Sequence, residues 1–175
     1  MKTTPITQIM FDGQSFPIPA SDGTRIIAVG KNIAWLDPDF QKFKLNEPSR
    51  PTKATNVVIR EVIANGTFWQ IFKDINPDWR QSIMTMSQIG EFLERYPDKL
   101  RQDGLGTFFL TEKRLNILQK LCRFLFNKQM GYFVVRVCVR SGSLRVYVYR
   151  LGNDLVCYGE CRLRVVSPQL IPLAE

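Results

Sequence analysis

Five of the arginines and three of the tyrosines in the last third of the chain recur at alternating positions: Arg136, Arg140, Arg145, Arg162 and Arg164, with Tyr147, Tyr149 and Tyr158. Guanidinium groups form charge-assisted, often bidentate hydrogen bonds to phosphates. Tyrosine rings offer flat surfaces on which nucleic-acid bases stack. Such a set matters chemically only if one surface presents it. The sequence over 132–166 supplies a reason to expect that surface.

The stretch is rich in β-branched and aromatic residues and is interrupted by Ser141-Gly142-Ser143 and Gly152-Asn153-Asp154. Its alternation predicts three consecutive antiparallel strands at about 132–140, 143–150 and 155–166. A two-residue loop at Ser141-Gly142 pairs Arg140 with Ser143, Val139 with Leu144, Val137 with Val146 and Arg136 with Tyr147. A three-residue loop mixes the faces, because a one-residue slip inverts every side chain. A four-residue loop sets Arg140 against Arg145, a repulsive pair. Taking the second turn at 151–154 pairs Arg150 with Leu155, Val148 with Cys157, Leu144 with Cys161 and Arg145 with Glu160. One face is then apolar: Val135, Val137, Val139, Leu144, Val146, Val148, Leu155, Cys157, Cys161, Leu163 and Val165. The other carries the five arginines and three tyrosines, with Glu160 as its one acid. The same pattern also suits the solvated face of a one-sided sheet, or a face covered by a helix with the tyrosines as core.

Net charge is +8, and its distribution is uneven. Residues 1–103 hold 13 Lys/Arg against 12 Asp/Glu, whereas residues 104–175 hold 11 against 4. A basic half points to an acidic partner: nucleic acid, an acidic protein or an anionic membrane. The chain has no histidine, which excludes histidine acid–base catalysis, Ser-His and Cys-His nucleophiles and histidine metal ligation. It also lacks a phosphate-binding loop and a nucleophile elbow. The expectation is a non-enzymatic binding protein without a cofactor, contacting RNA or DNA through this basic face. The alternative is an interaction or assembly subunit that docks an acidic protein there or binds through the aromatic 68–79 region.

Of the four cysteines, Cys122, Cys157 and Cys161 read as small buried hydrophobes in a reducing compartment, and Cys138 as the more reactive thiol. The acidic residues Asp12, Asp22, Asp37 and Asp39 match no calcium-loop spacing. No signal peptide or run of transmembrane length is evident, so a cytoplasmic location is expected.

The elements that must position the basic face are read as follows. Residues 1–36 form a β-rich segment of short strands, Ile6–Phe11, Phe16–Ile18, Arg25–Val29 and Ile33–Leu36, read as a small meander. Residues 37–56, with three prolines, form a linker or surface strap. Residues 57–175 form the main α+β domain. Its Val57–Ala64 is a strand, and 67–75 is either a second hairpin strand or a helix capped by Thr67. Thr85-x-x-Gln88 is a capping box for a helix over about 86–96, which ends before Pro97. Thr107–Leu110 is a short strand. A helix near 112–129 has the stripe Leu115, Leu118, Leu121/Cys122 and Leu125, which packs on the valine face. Its Lys120 and Arg123 extend the basic surface. The expected fold is thus α+β: an antiparallel sheet, two helices packed on one face and the N-terminal β-rich segment.

The segment Ile89…Tyr96-Pro97-Asp98…Leu100-Arg101…Asp103-Gly104…Thr107-Phe108-Phe109-Leu110, with the ending Arg164-Val165-Val166-Ser167-Pro168-Gln169, resembles a family of uncharacterised bacterial proteins. That resemblance implies a bacterial source and assigns no activity or site residue. Gly131-Tyr132-Phe133-Val134-Val135 is similar to part of the aromatic strand of RNA-recognition motifs, but their βαββαβ order is missing.

Overall fold

The structure is a computed structural model that describes residues 4–30, 32–113 and 131–169. Among the described residues, ten strands form two sheets. The strands β1 (Thr7–Ile9), β2 (Phe16–Ile18), β3 (Ile33–Leu36), β4 (Thr55–Val62), β6 (Gly106–Glu112), β7 (Tyr132–Arg140), β8 (Ser143–Arg150) and β10 (Arg164–Pro168) make the eight-stranded main sheet. The short β5 (Gly66–Thr67) and β9 (Val156–Cys157) pair separately. Main-sheet order is β1-β4-β10-β6-β7-β8-β3, and β2 lies beyond β1 along the same edge of β4.

The β7–β8 hairpin has the expected register, Arg140 opposite Ser143, Val137 opposite Val146 and Arg136 opposite Tyr147. Ser141 and Gly142 both have positive φ, 49° and 74°. That is the backbone a two-residue turn of type I′ demands, because its twist matches the flanking strands.

The third strand is a correction. Residues 155–166 do not continue an antiparallel meander. Only Val156–Cys157 is strand there, paired with Gly66–Thr67. A tight turn at Gly159–Cys161 follows, and Arg162 takes a left-handed conformation, φ 49°. The reason is local. An added Cβ on Gly159 would stand 2.6 Å from the Ile63 carbonyl group, so glycine brings the two backbones together and breaks the strand. β10 then crosses to the middle of the sheet, antiparallel to β4 and parallel to β6. The place beside β8 is taken by β3, also in parallel. The sheet is therefore mixed, with β1, β2 and β3 built into it instead of forming a meander of their own.

Both faces of this sheet bury apolar side chains. On one, α3 (Met86–Arg95) packs with Ile89 and Phe92 over Ile59, Phe109, Val135, Val137 and Val166. Its capping box is present: Thr85 Oγ1 accepts from the Gln88 N–H at 3.3 Å, and Gln88 Oε1 accepts from the Thr85 N–H at 2.9 Å. The strap closes the same core. Its short helix α1 (Asp39–Lys42) and the turn after it bury Phe40 and Leu45, while Phe43 packs on Phe133, ring centroids 4.7 Å apart. On the other face, α2 (Phe68–Ile75) is a helix with its own capping box at Thr67 and Gln70. It buries Phe68, Ile71, Phe72 and Ile75 with Trp79 against Phe108, Leu110, Tyr132, Val134 and Val165. β6 and the first four residues of β7 are buried on both faces, which explains the unbroken apolar runs Phe108–Leu110 and Tyr132–Val135. The helix expected near 112–129 lies almost entirely outside the described residues, as do Lys120, Cys122 and Arg123.

A candidate nucleic-acid interface

The α2 face of β7 and β8 has two halves. Near the β7 start, Tyr132 and Val134 lie under Phe68 and Trp79. Tyr149 sits at the border, half-buried, its ring 5.6 Å from that of Phe68. Toward the hairpin turn, no element among the described residues covers the sheet. There β7 presents Arg136 and Arg140, β8 presents Arg145 and Tyr147, and β3 presents Trp35 beside Arg145. Arg140 and Arg145 are exposed and Arg136 and Tyr147 half-buried.

Each arginine is held differently. Arg136 lies flat. An added Cβ on Gly106 would stand 2.7 Å from Arg136 Nε and 2.8 Å from its Cγ, so the side chain runs across β6 where no side chain obstructs it. Its guanidinium carbon is 5.8 Å from the centre of the Tyr147 ring, within cation–π range. Burial works against its charge, but the nearby Cys138 thiol and the Tyr149 hydroxyl raise its pKa above the ordinary arginine value. Its Nε is buried without a hydrogen-bond partner. Arg140 passes beside Gly104, its Nε 3.9 Å from where a Cβ would stand. No carboxylate among the described residues pairs with Arg136, Arg140 or Arg145. Three of the strap's cations are engaged by contrast, Lys42 on Asp39, Lys44 on Glu47 and Arg50 on Glu112.

The remaining residues of the expected set lie elsewhere. Arg164 is on the opposite face. Its guanidinium donates to the Lys99 and Leu100 carbonyls and lies 5.6 Å from the Phe11 ring. Burial and the neighbouring Arg101 charge lower its pKa. Arg162 donates to Glu61 at 3.3 Å, and its carbonyl accepts from Arg101, which also grips Asp103. That grip holds the Asp103 carboxyl below its usual pKa. Tyr158 is exposed in the loop after β9, off the main sheet. The cause is the same break at Gly159: once 155–166 is not one strand, its alternation no longer assigns a face. Arg136, Arg140, Arg145 and Tyr147 are brought together, and Arg162, Arg164 and Tyr158 are not.

Trp35 joins the group without having been expected there. Its ring lies 4.7 Å from that of Tyr147. The only sequence signal was an aromatic in an alternating run, Ile33–Leu36, whose parallel pairing with β8 the local pattern does not encode. Cys138 is also placed differently. It is on the basic face, but it is 2% exposed beneath the arginine stems, so it does not present a reactive thiol. Burial pushes the Cys157 thiol up to about 11.

Among the described residues no cluster of three or more His, Cys, Asp or Glu is placed to hold a metal ion, and no helix is long and apolar enough to cross a membrane. No family model matches the chain, and neither a curated protein nor a solved structure matches it.

Proposed function

We propose that the chain is a nucleic-acid-binding protein, without catalytic activity of its own, that contacts RNA or DNA through the half of the α2 face that no described element covers. The observation that carries this reading is the grouping of Arg136, Arg140 and Arg145, none paired with a carboxylate among the described residues, around the aromatic pair Trp35 and Tyr147. Cations that a fold needs for itself are normally matched by acids or carbonyls, as Arg101, Arg162 and Arg164 are here. Guanidiniums without a carboxylate partner among the described residues, beside flat rings, suit an anionic ligand with aromatic parts. The basic second half of the chain would add long-range attraction.

The test is binding of labelled single-stranded RNA and of duplex DNA across a salt series. Three phosphate contacts on a single strand predict a slope of about −2 in log affinity against log salt. Replacing Arg136, Arg140 and Arg145 together by alanine should remove most of that slope. Absence of binding to either probe at low salt overturns the reading and leaves the face to an acidic protein partner.

A further inference from the structure

Phosphate attraction alone does not call for Trp35. The chain has three tryptophans, and two of them pack on each other: Trp69 and Trp79 have ring centroids 5.1 Å apart, and Trp79 packs on Tyr132 at 4.6 Å. Trp35 is the exposed one, at 37%. Leaving a large apolar ring on the surface of an edge strand forgoes its burial. Here the ring is tilted at 45° against Tyr147 and flanked by Arg145 on the neighbouring strand, so its position is defined.

We infer that the ligand of this half-face is a single strand, with bases stacked on Trp35 and Tyr147 and phosphates along Arg136 and Arg140. The inference rests on the nucleic-acid reading above and narrows it. In a duplex the base faces are stacked on one another and only their edges are reachable from the grooves. An exposed ring on a flat sheet therefore has no base face to meet unless the strand is open. The spacing also fits two parallel tracks. Arg136 and Arg140 are four residues apart on β7, roughly 13 Å at the usual rise of a strand. Trp35 lies two strands away, about 10 Å across the sheet. The backbone of a strand would follow the first track while its bases reach the second. Gly104 and Gly106, on the β6 side of the arginines, keep the approach to the first track low.

The experiment uses the intact chain, a short single-stranded RNA oligonucleotide and the same oligonucleotide annealed to its complement, with tryptophan emission and anisotropy read together. The expected result is tighter binding of the single strand with quenching of emission. Trp35→Ala should weaken single-strand binding about 5- to 150-fold, the range of one base–aromatic stack, and leave duplex binding nearly unchanged. Trp35→Phe should keep most of the affinity and lose the quench. Should Trp35→Ala fail to fold, Trp35→Phe still decides, since a quench that persists without Trp35 overturns the inference. Equal affinity for both forms, lost only when the three arginines are replaced, overturns it and leaves the nucleic-acid reading standing. No binding of either form ends both.

Discussion

The two halves of the α2 face are made by the same two strands with the same alternation, yet they end in opposite states. At Tyr132 and Val134 the side chains are buried under Phe68 and Trp79. At Arg136 and Arg140, two and six residues beyond Val134, and at Arg145 past the turn, the same face carries charge and no element among the described residues covers it. Tyr149 and Tyr147, neighbours on one strand, divide between them: Tyr149 meets Phe68 at 5.6 Å and Tyr147 meets Trp35 at 4.7 Å. Strand alternation marks a face, but a helix some sixty residues earlier in the chain decides how far along that face the core extends. The change from Val134 to Arg136 is where that cover stops.

The contrast predicts unequal sensitivity to substitution. Phe68 is fully buried between Phe108 and Tyr149, so Phe68→Ala should destabilise the fold by about 3–5 kcal/mol, read as a lower midpoint in chemical denaturation. A next effect belongs to pH. The Cys157 thiol is raised from 9.0 to about 11, so the folded state holds its proton after the unfolded chain has released it. Its contribution is complete below pH 9 and is lost as pH rises through 11, a difference of roughly 2–3 kcal/mol by proton linkage. Stability measured across that window should fall less steeply in Cys157→Ala than in the parent, from a lower starting value. Gly106→Ala acts at the open half. Its methyl group meets Arg136 and lifts it, costing about 1 kcal/mol by overpacking and weakening ligand binding by more than it weakens the fold. Smallest are Arg140→Ala and Arg145→Ala, expected to change stability by no more than about 0.5 kcal/mol, because both side chains are exposed and unpaired among the described residues. A loss from either comparable to that of Phe68→Ala would erase the distinction between the halves.

What could be read in advance follows the range of the interaction that sets it. The hairpin register, the capping box at Thr85 and Gln88 and the stop before Pro97 depend on residues within a few positions of one another, and each is present. The strand identities of β2, β3 and β4 are equally local. Their neighbours are not. Nothing near Ile33–Leu36 specifies that it lies parallel to Ser143–Arg150, and nothing near Arg164–Pro168 specifies that it enters between β4 and β6. In the candidate site, the grouping of Arg136, Arg140, Arg145 and Tyr147 came from hairpin register and was therefore legible. Trp35 depends on the β3–β8 pairing and was not. Arg164 was assigned the wrong face because alternation was carried through Gly159 and the left-handed Arg162 as if the strand were continuous.

The late insertion of β10 has a consequence for how the protein is made. Its residues Arg164–Pro168 join β4 on one side to β6 on the other, and among the described residues no other ladder connects those two parts of the main sheet. During synthesis, β4 with β1 and β2 and the block β6–β7–β8–β3 leave the ribosome before the strand that unites them. Each then displays a backbone edge with open hydrogen-bonding groups, the kind of edge that recruits other chains. The main sheet cannot close until position 168 is available, so a chaperone that covers these two edges would act before β10 is inserted.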